Sequence, residues 1–259
     1  MKLSRRFSAP GGGRIKAMGG DIVAAKAFSR RQAVFNEKAT QYAQTGVITT
    51  PGYLRLETLL PATGAISTIN FNTLDTSGVK LPTERRLKLA DTFTITDIAF
   101  YIGTGSATAV GAPTNAEQSV ERLNTFPNQQ VTAIGTNTSA LQAVYNGFLS
   151  LRVDTTTFLD SLPLMNFYRV GDVQTGTIFA TGGTATNQSS WPLSMYGKQE
   201  LLPTIELNGQ ANIEFQISLP SSISYTQVAS TFCTAVVILG GFLNQGAATV
   251  QRGLQSRLR

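Results

Sequence analysis

The 259 residues include no histidine and a single cysteine, which excludes Ser-His-Asp and Cys-His catalytic pairs, an internal disulfide and the usual zinc ligand sets. Only 14% of the residues are charged, against about 25% in an average soluble chain, so Thr, Ser, Asn and Gln must supply most of the polar surface. The net charge of +6 is unevenly spread: residues 1–38 carry nine Lys or Arg against two acids, residues 252–259 add three Arg, and the stretch between them holds nine bases against thirteen acids.

The chain opens with MKLSRRFSAPGGGRIKAMGG, in which Lys2, Arg5, Arg6, Arg14 and Lys16 stand without an acid. The segment lacks the apolar centre of a secretory signal, although its Arg and Ser content resembles an organellar transit peptide. A basic end on a net-negative body is the footprint of a polyanion partner, because clustered Lys and Arg displace counterions from phosphates whatever their sequence. Nucleic acid and an anionic lipid surface both meet that description. The glycines and Pro10 read as a flexible breaker.

After the breaker, DIVAAKAFSRRQAVFNEKATQYAQ (21–44) is rich in helix formers. The pattern predicts a short helix capped by Asp21, with Val23, Ala27, Phe28, Val34 and Phe35 along one side. That side is expected to dock on the body or on a neighbouring copy, leaving Arg30 and Arg31 facing outward toward an anion.

From Gly46 onward, strand-length runs of Val, Ile, Phe, Tyr and Thr alternate with Gly, Pro, Asn and Ser clusters, the mark of an all-β body. YLRLETLL (53–60) sets Leu54, Leu56 and Leu60 opposite Arg55 and Glu57, and AISTINFN (65–72) alternates similarly. In DTFTITDIAFYIG (91–103), Phe93 and Ile95 point inward, and then the phase shifts to Ile98, Phe100 and Ile102, which predicts a β-bulge near Asp97. GFLSLRVD (147–154) turns Leu149, Leu151 and Val153 inward. LLPTIELNGQANIEFQISLP (201–220) reads as two strands joined in a hairpin at Asn208-Gly209, with Glu206 and Glu214 on a solvated face. STFCTAVVILGGFLNQG (230–246) reads as a central strand buried on both faces, with Cys233 as a small core residue. Long tracts at 103–118 and 180–190 read as loops. Ten to twelve strands arranged this way predict a sandwich.

No stretch reaches the ~18–20 apolar residues of a membrane-spanning helix. Neither GGGRIKAMGG nor GTGSATAVG has the strand, helix and Lys context of a phosphate-binding or dinucleotide loop. Asp154, Asp160, Glu200, Glu206 and Glu214 are too scattered to nominate a glycosidase pair, and Trp191, Tyr196 and Phe167-Tyr168 read as loop plugs rather than a sugar platform. No catalytic residue, cofactor or metal ligand is expected.

The basic arm with Arg5-Arg6, Arg14 and Arg30-Arg31, the Thr- and Ser-rich strands from about 50 to 246, and the closing block LLPTIELNGQANIEFQISLP with TAVVILGGFLNQGA together resemble a jelly-roll capsid protein of an icosahedral virus, such as a bacteriophage. The resemblance implies a basic, partly helical arm at 1–45, a jelly-roll β-sandwich at 46–250 and a basic tail at 251–259. About 205 body residues fit one roll with long loops, with a double jelly roll as the alternative. It further implies a non-enzymatic structural protein of the virion, assembled in the host cytoplasm as many copies in a shell alongside other virion proteins. Lys2, Arg5, Arg6, Arg14, Lys16, Arg30, Arg31, Arg257 and Arg259 would then contact genomic nucleic acid, an internal membrane or neighbouring subunits. A β-sandwich carbohydrate-binding or adhesive module, such as a fibre or spike component, is the competing class, and a glycan-active enzyme is the third.

Overall fold

The computed structural model describes residues 19–43, 45–76, 79–125, 143–168, 197–227 and 229–250. Helix α1 (Gly19–Tyr42) precedes nine strands: β1 (Ile48–Leu59), β2 (Thr63–Phe71), β3 (Thr92–Ser106), β4 (Arg122–Asn124), β5 (Phe148–Val153), β6 (Thr156–Pro163), β7 (Lys198–Asn208), β8 (Ile213–Thr226) and β9 (Thr231–Gln245). A short helix α2 (Asn115–Gln118) and a 3-10 turn (Leu164–Phe167) interrupt them. Nine strands among the described residues is fewer than the sequence pattern suggested. The longest, β3 and β9, take 15 residues each.

All pairings are antiparallel. Sheet A runs β1-β9-β3, with β7 and β4 sharing the far edge of β3; sheet B runs β2-β8-β5-β6. The two sheets face each other as a sandwich, and their inward side chains form one core. Leu54, Leu56, Phe93, Ile95, Ile98 and Phe100 of sheet A meet Ile66, Ile69, Phe71, Leu149, Phe215 and Ile217 of sheet B. Aromatic edges close the packing, with Phe71 and Phe215 5.7 Å apart and Phe100 and Tyr145 5.2 Å apart. β9 lies between β1 and β3 as expected, and Cys233 on it is fully buried, with its thiol pushed up to about 12 by burial.

The bulge near Asp97 is present. The register of β3 slips between Ile95 and Asp97: against β9, where these residues face Gly241 and Gly240, Thr96 is the extra residue, and against β7, where they face Ile205 and Glu200, the intervening residues 201–204 bulge on the partner strand. Strict alternation from Phe93 and Ile95 would have driven Asp97 into the core and Ile98 out to the surface. The inserted residue reverses both, and the Thr96 hydroxyl ties the bend by donating to Asp97 Oδ2 at 2.8 Å and to the Gly240 carbonyl at 3.2 Å.

The hairpin at Asn208-Gly209 is not formed. β7 belongs to sheet A and β8 to sheet B, so the connection is a corner between sheets. Its glycine answers a different need: a Cβ on Gly209 would collide with the Lys88 carbonyl and crowd the Asp91 carbonyl, to which the Gly209 N–H donates at 3.0 Å. Close backbone approach, not turn type, selects glycine here.

The helix is also longer than expected, at 24 residues. Asp21 lies inside its described span rather than at a cap.

Candidate functional site

The outer face of sheet A gathers most of the charged side chains that touch one another, and α1 lies across it. On the half of α1 whose side chains are described, Arg31, Val34, Phe35, Lys38, Ala39 and Tyr42 are the less exposed positions, a single helical stripe. The stripe mixes cations with aromatics, and the sheet beneath is built to match. Arg31 pairs with Asp97 Oδ2, Lys38 Nζ reaches Glu206 Oε2 at 2.5 Å, and Arg30 reaches Glu200 Oε2 at 3.5 Å. The Tyr42 hydroxyl donates to Glu206 Oε1 at 3.2 Å, and the Phe35 and Phe242 rings lie 5.5 Å apart.

Arg31, expected to face outward toward an anion, is thus paired with Asp97 of its own sheet, whereas Arg30 is exposed with Glu200 at 3.5 Å. The physical reason lies in the acids: Asp97 is almost wholly buried on the β3 bulge, and an uncompensated carboxylate there would be costly. Lys2, Arg5, Arg6, Arg14, Lys16, Arg257 and Arg259 lie outside the described residues, as do the tract at 180–190, Trp191 and Tyr196. Of the scattered carboxylates, Glu214 is exposed and pairs with Arg152 at 3.4 Å, Asp160 is exposed, and Asp154 Oδ1 accepts from the Asn212 N–H at 2.8 Å. Glu206 is instead covered by α1. The structure brings none of these carboxylates together.

A second charged cluster, which the sequence reading missed, lies beside the helix. Arg55 pairs with both Glu57 and Glu121. The Thr83 hydroxyl donates to Glu57 at 2.7 and 2.8 Å, and Thr234 donates to Glu121 at 2.7 Å. Glu84 and Arg86 form a buried pair at 2.6 Å, and Glu84 Oε1 also accepts from the Glu57 N–H at 3.2 Å. These contacts clamp residues 79–88 along β1, where Arg55 and Arg85 exchange backbone hydrogen bonds of 3.0 and 2.8 Å. Burial raises the carboxyls of Glu57 and Glu121 above the usual carboxylate range, while their hydroxyl donors and Arg55 pull them partway back. The alternation Leu54-Arg55-Leu56-Glu57 was a usable signal that Arg55 and Glu57 share a face; their partners came from distant segments.

Between α1 and the sheet, beside both clusters, opens a cleft of about 640 Å³. Phe35, Tyr53, Ile238 and Phe242 provide apolar surface, and Arg31, Arg55, Lys198 and Asp97 provide charge. Gly240 makes room for the Asp97 carboxylate, since a Cβ there would overlap both of its oxygens. Asp97 Oδ1 is buried and receives no hydrogen bond, and Lys198 Nζ stands 3.9 Å from it.

Among the described residues no group of three or more His, Cys, Asp or Glu is arranged to hold a metal ion, and no helix is long and apolar enough to cross a membrane. Comparison with protein-family models, with curated proteins and with solved structures returned no match.

Proposed function

We propose that the chain is a structural capsid protein built on a single jelly roll, which assembles as many copies into an icosahedral shell. The observation that carries this reading is the nesting of strands. With the short β4 set aside, the first strand pairs with the last, the second with the next to last, β3 with β7, and β5 with β6. That order is what results when one long antiparallel ribbon is folded over into two four-stranded sheets, the arrangement of a jelly roll.

Charge supports the second half of the proposal. The body is poor in charge and net negative, while residues 1–38 hold a net of +7 and the last eight residues hold +3. Three cations of the arm, Arg30, Arg31 and Lys38, meet acids of sheet A, which leaves Lys2, Arg5, Arg6, Arg14, Lys16 and Lys26 of the arm for another counter-charge. In a shell this arm would meet a polyanion, either genomic nucleic acid or an internal membrane, or an adjoining subunit. The role is non-enzymatic, with other virion proteins as further partners and the virion as its place.

The test is electron microscopy and sedimentation of the expressed protein across a salt series. Closed particles that loosen as salt rises, and that lose order when Arg5, Arg6 and Arg14 are changed to Ala, are the expected result. A discrete monomer that binds glycans equally well after removal of residues 1–40 would overturn the reading in favour of an adhesive module.

A further inference from the structure

The outer faces of the two sheets carry features that match each other. Between α1 and sheet A, Phe35, Tyr53, Ile238 and Phe242 give the cleft of about 640 Å³ apolar walls. The cations on its lining are already committed within the chain: Arg31 and Lys198 face Asp97, and Arg55 faces Glu57 and Glu121. Arg85 is not. It is exposed, and its guanidinium lies over the Tyr53 ring, 5.3 Å from the centre. Tyr53 is itself 48% exposed, so the β1 side of the cleft offers an aromatic face beside a cation that no carboxylate among the described residues engages.

The β6 edge of sheet B offers the reverse. Leu162 pairs with Leu149, Leu159 with Leu151 and Thr157 with Arg152, so Asp160, Ser161 and Phe158 fall at the two irregularities between these pairs. Phe158 is 46% exposed, and Asp160 is exposed and accepts only from the neighbouring Ser161 hydroxyl among the described residues. Residues two apart on a strand stand about 7 Å apart, similar to the 5.3 Å between Arg85 and the Tyr53 ring. The same irregularities, with Ser161 at a φ of 57°, interrupt the row of backbone groups that an added strand would need. This edge is therefore suited to side-chain contact rather than to sheet extension.

The two features sit on opposite flanks of the sandwich. β1 is the outermost strand of sheet A and leads directly into β2, the outermost strand of sheet B on that side. β6 ends sheet B on the other side, and the 3-10 turn after it packs against β3 and β7. One chain cannot bring the two together, but neighbouring copies can.

We propose that the cleft receives the β6 edge of a second copy, with Phe158 packing against Tyr53 and Asp160 pairing with Arg85. Such a contact joins unlike surfaces, so each copy keeps a cleft or an edge for the next, and repetition makes a ring when the rotation closes. The inference rests on the reading that the chain assembles with itself, and it names the contact that joins neighbours.

Sedimentation velocity of the full chain over a concentration series at low salt, with electron microscopy of the same samples, tests it. Phe158→Ser, Asp160→Arg and Arg85→Glu should each weaken self-association by about tenfold or more, the loss expected for an interface anchor. Arg85→Glu combined with Asp160→Arg in one chain, or an equimolar mixture of the two single variants, should recover most of it, because every junction regains one cation and one acid. Glu214→Gln, on the outer face of the same sheet, should change nothing, and thermal melting of each variant checks the fold. Shells that form regardless of all three changes would overturn this contact and leave shell assembly standing, as would weakened association without recovery in the combined variant. Rings or short chains that show the recovery but never close into shells would support the contact and overturn the shell. A monomer at every concentration would overturn both.

Discussion

The two sheets bury equivalent inner faces but differ on their outer ones. Sheet A carries Arg55, Glu57, Asp97, Lys198, Glu200 and Glu206 outward, and each of them meets α1, residues 79–88 or a neighbouring strand. Sheet B exposes Thr63, Ala65, Ser67, Asn70 and Ser218, with one solvent-exposed pair between Arg152 and Glu214. Paired charge marks the face that is covered, whereas the face of sheet B left open mixes short neutral side chains with exposed Phe148, Phe158 and Asp160. Glu206 and Glu214 make the point together: they lie on strands consecutive in the chain but in different sheets, and Glu206 fastens a helix while Glu214 meets solvent.

The comparison breaks most decisively at the buried pair in the segment 79–88 that covers sheet A. Replacing Glu84 by Gln leaves Arg86 without its counter-charge and should cost about 3–5 kcal/mol, measured by urea unfolding. A loss below about 1 kcal/mol would mean that the pair is effectively solvated and that the two faces differ little. Next comes Gly240→Ala, which forces the Asp97 carboxylate off its seat. Overpacking of this kind should cost about 1–3 kcal/mol and should loosen α1, visible as faster proteolysis within residues 30–43.

Smaller effects concern the helix itself. Lys38→Met and Glu206→Gln should each reduce stability by about 1 kcal/mol or less, more at low than at high salt, because these pairs are only partly shielded. Equal losses at all ionic strengths would show that apolar packing, not charge, holds α1 in place.

Titration sharpens the contrast by sign. Glu57 and Glu121 are raised above the ordinary value of 4.5 chiefly by burial, so the folded chain holds their protons more tightly than the unfolded one. Their contribution is full below that value and is lost as pH rises through the raised ones. Wild type should therefore lose stability relative to Glu121→Gln as mild acid gives way to neutral pH. Glu117, on an exposed turn, is lowered to about 2 by hydrogen bonds from Thr108 and Thr114. Its contribution is present above 4.5 and disappears as pH falls toward about 2, so Glu117→Gln should differ from wild type in the opposite direction. The smallest change belongs to sheet B: Glu214→Gln should alter stability by about 0.5 kcal/mol or less, since both partners are half exposed.

Much of the fold was readable from alternation alone. Leu54, Leu56, Ile98, Phe100, Leu149 and Ile217 face the core as their spacing required, and the phase change at Asp97 announced its bulge. The apolar run ending at Leu243 identified β9 as central. Asn208-Gly209 misled because an identical dipeptide serves a tight hairpin and a close backbone crossing, and only the path of residues 88–91 tells them apart. Arg31 was hard to read for a related reason: a basic pair on a helix carries no label saying whether its counter-charge is a ligand or a neighbouring strand, and Arg31 meets Asp97 while Arg30 beside it stays exposed.

What the sequence determined by itself is which residues must leave water, because hydrophobic periodicity acts over a few residues and is written locally. It also determined that positive charge concentrates at the two ends. Which acids those cations meet, which sheet each strand joins, and that a cleft opens beneath α1 were decided by tertiary structure. Ion pairs such as Arg31–Asp97 and Lys38–Glu206 join residues far apart in the chain, and electrostatic partners at that separation leave no periodic trace in the residues between them.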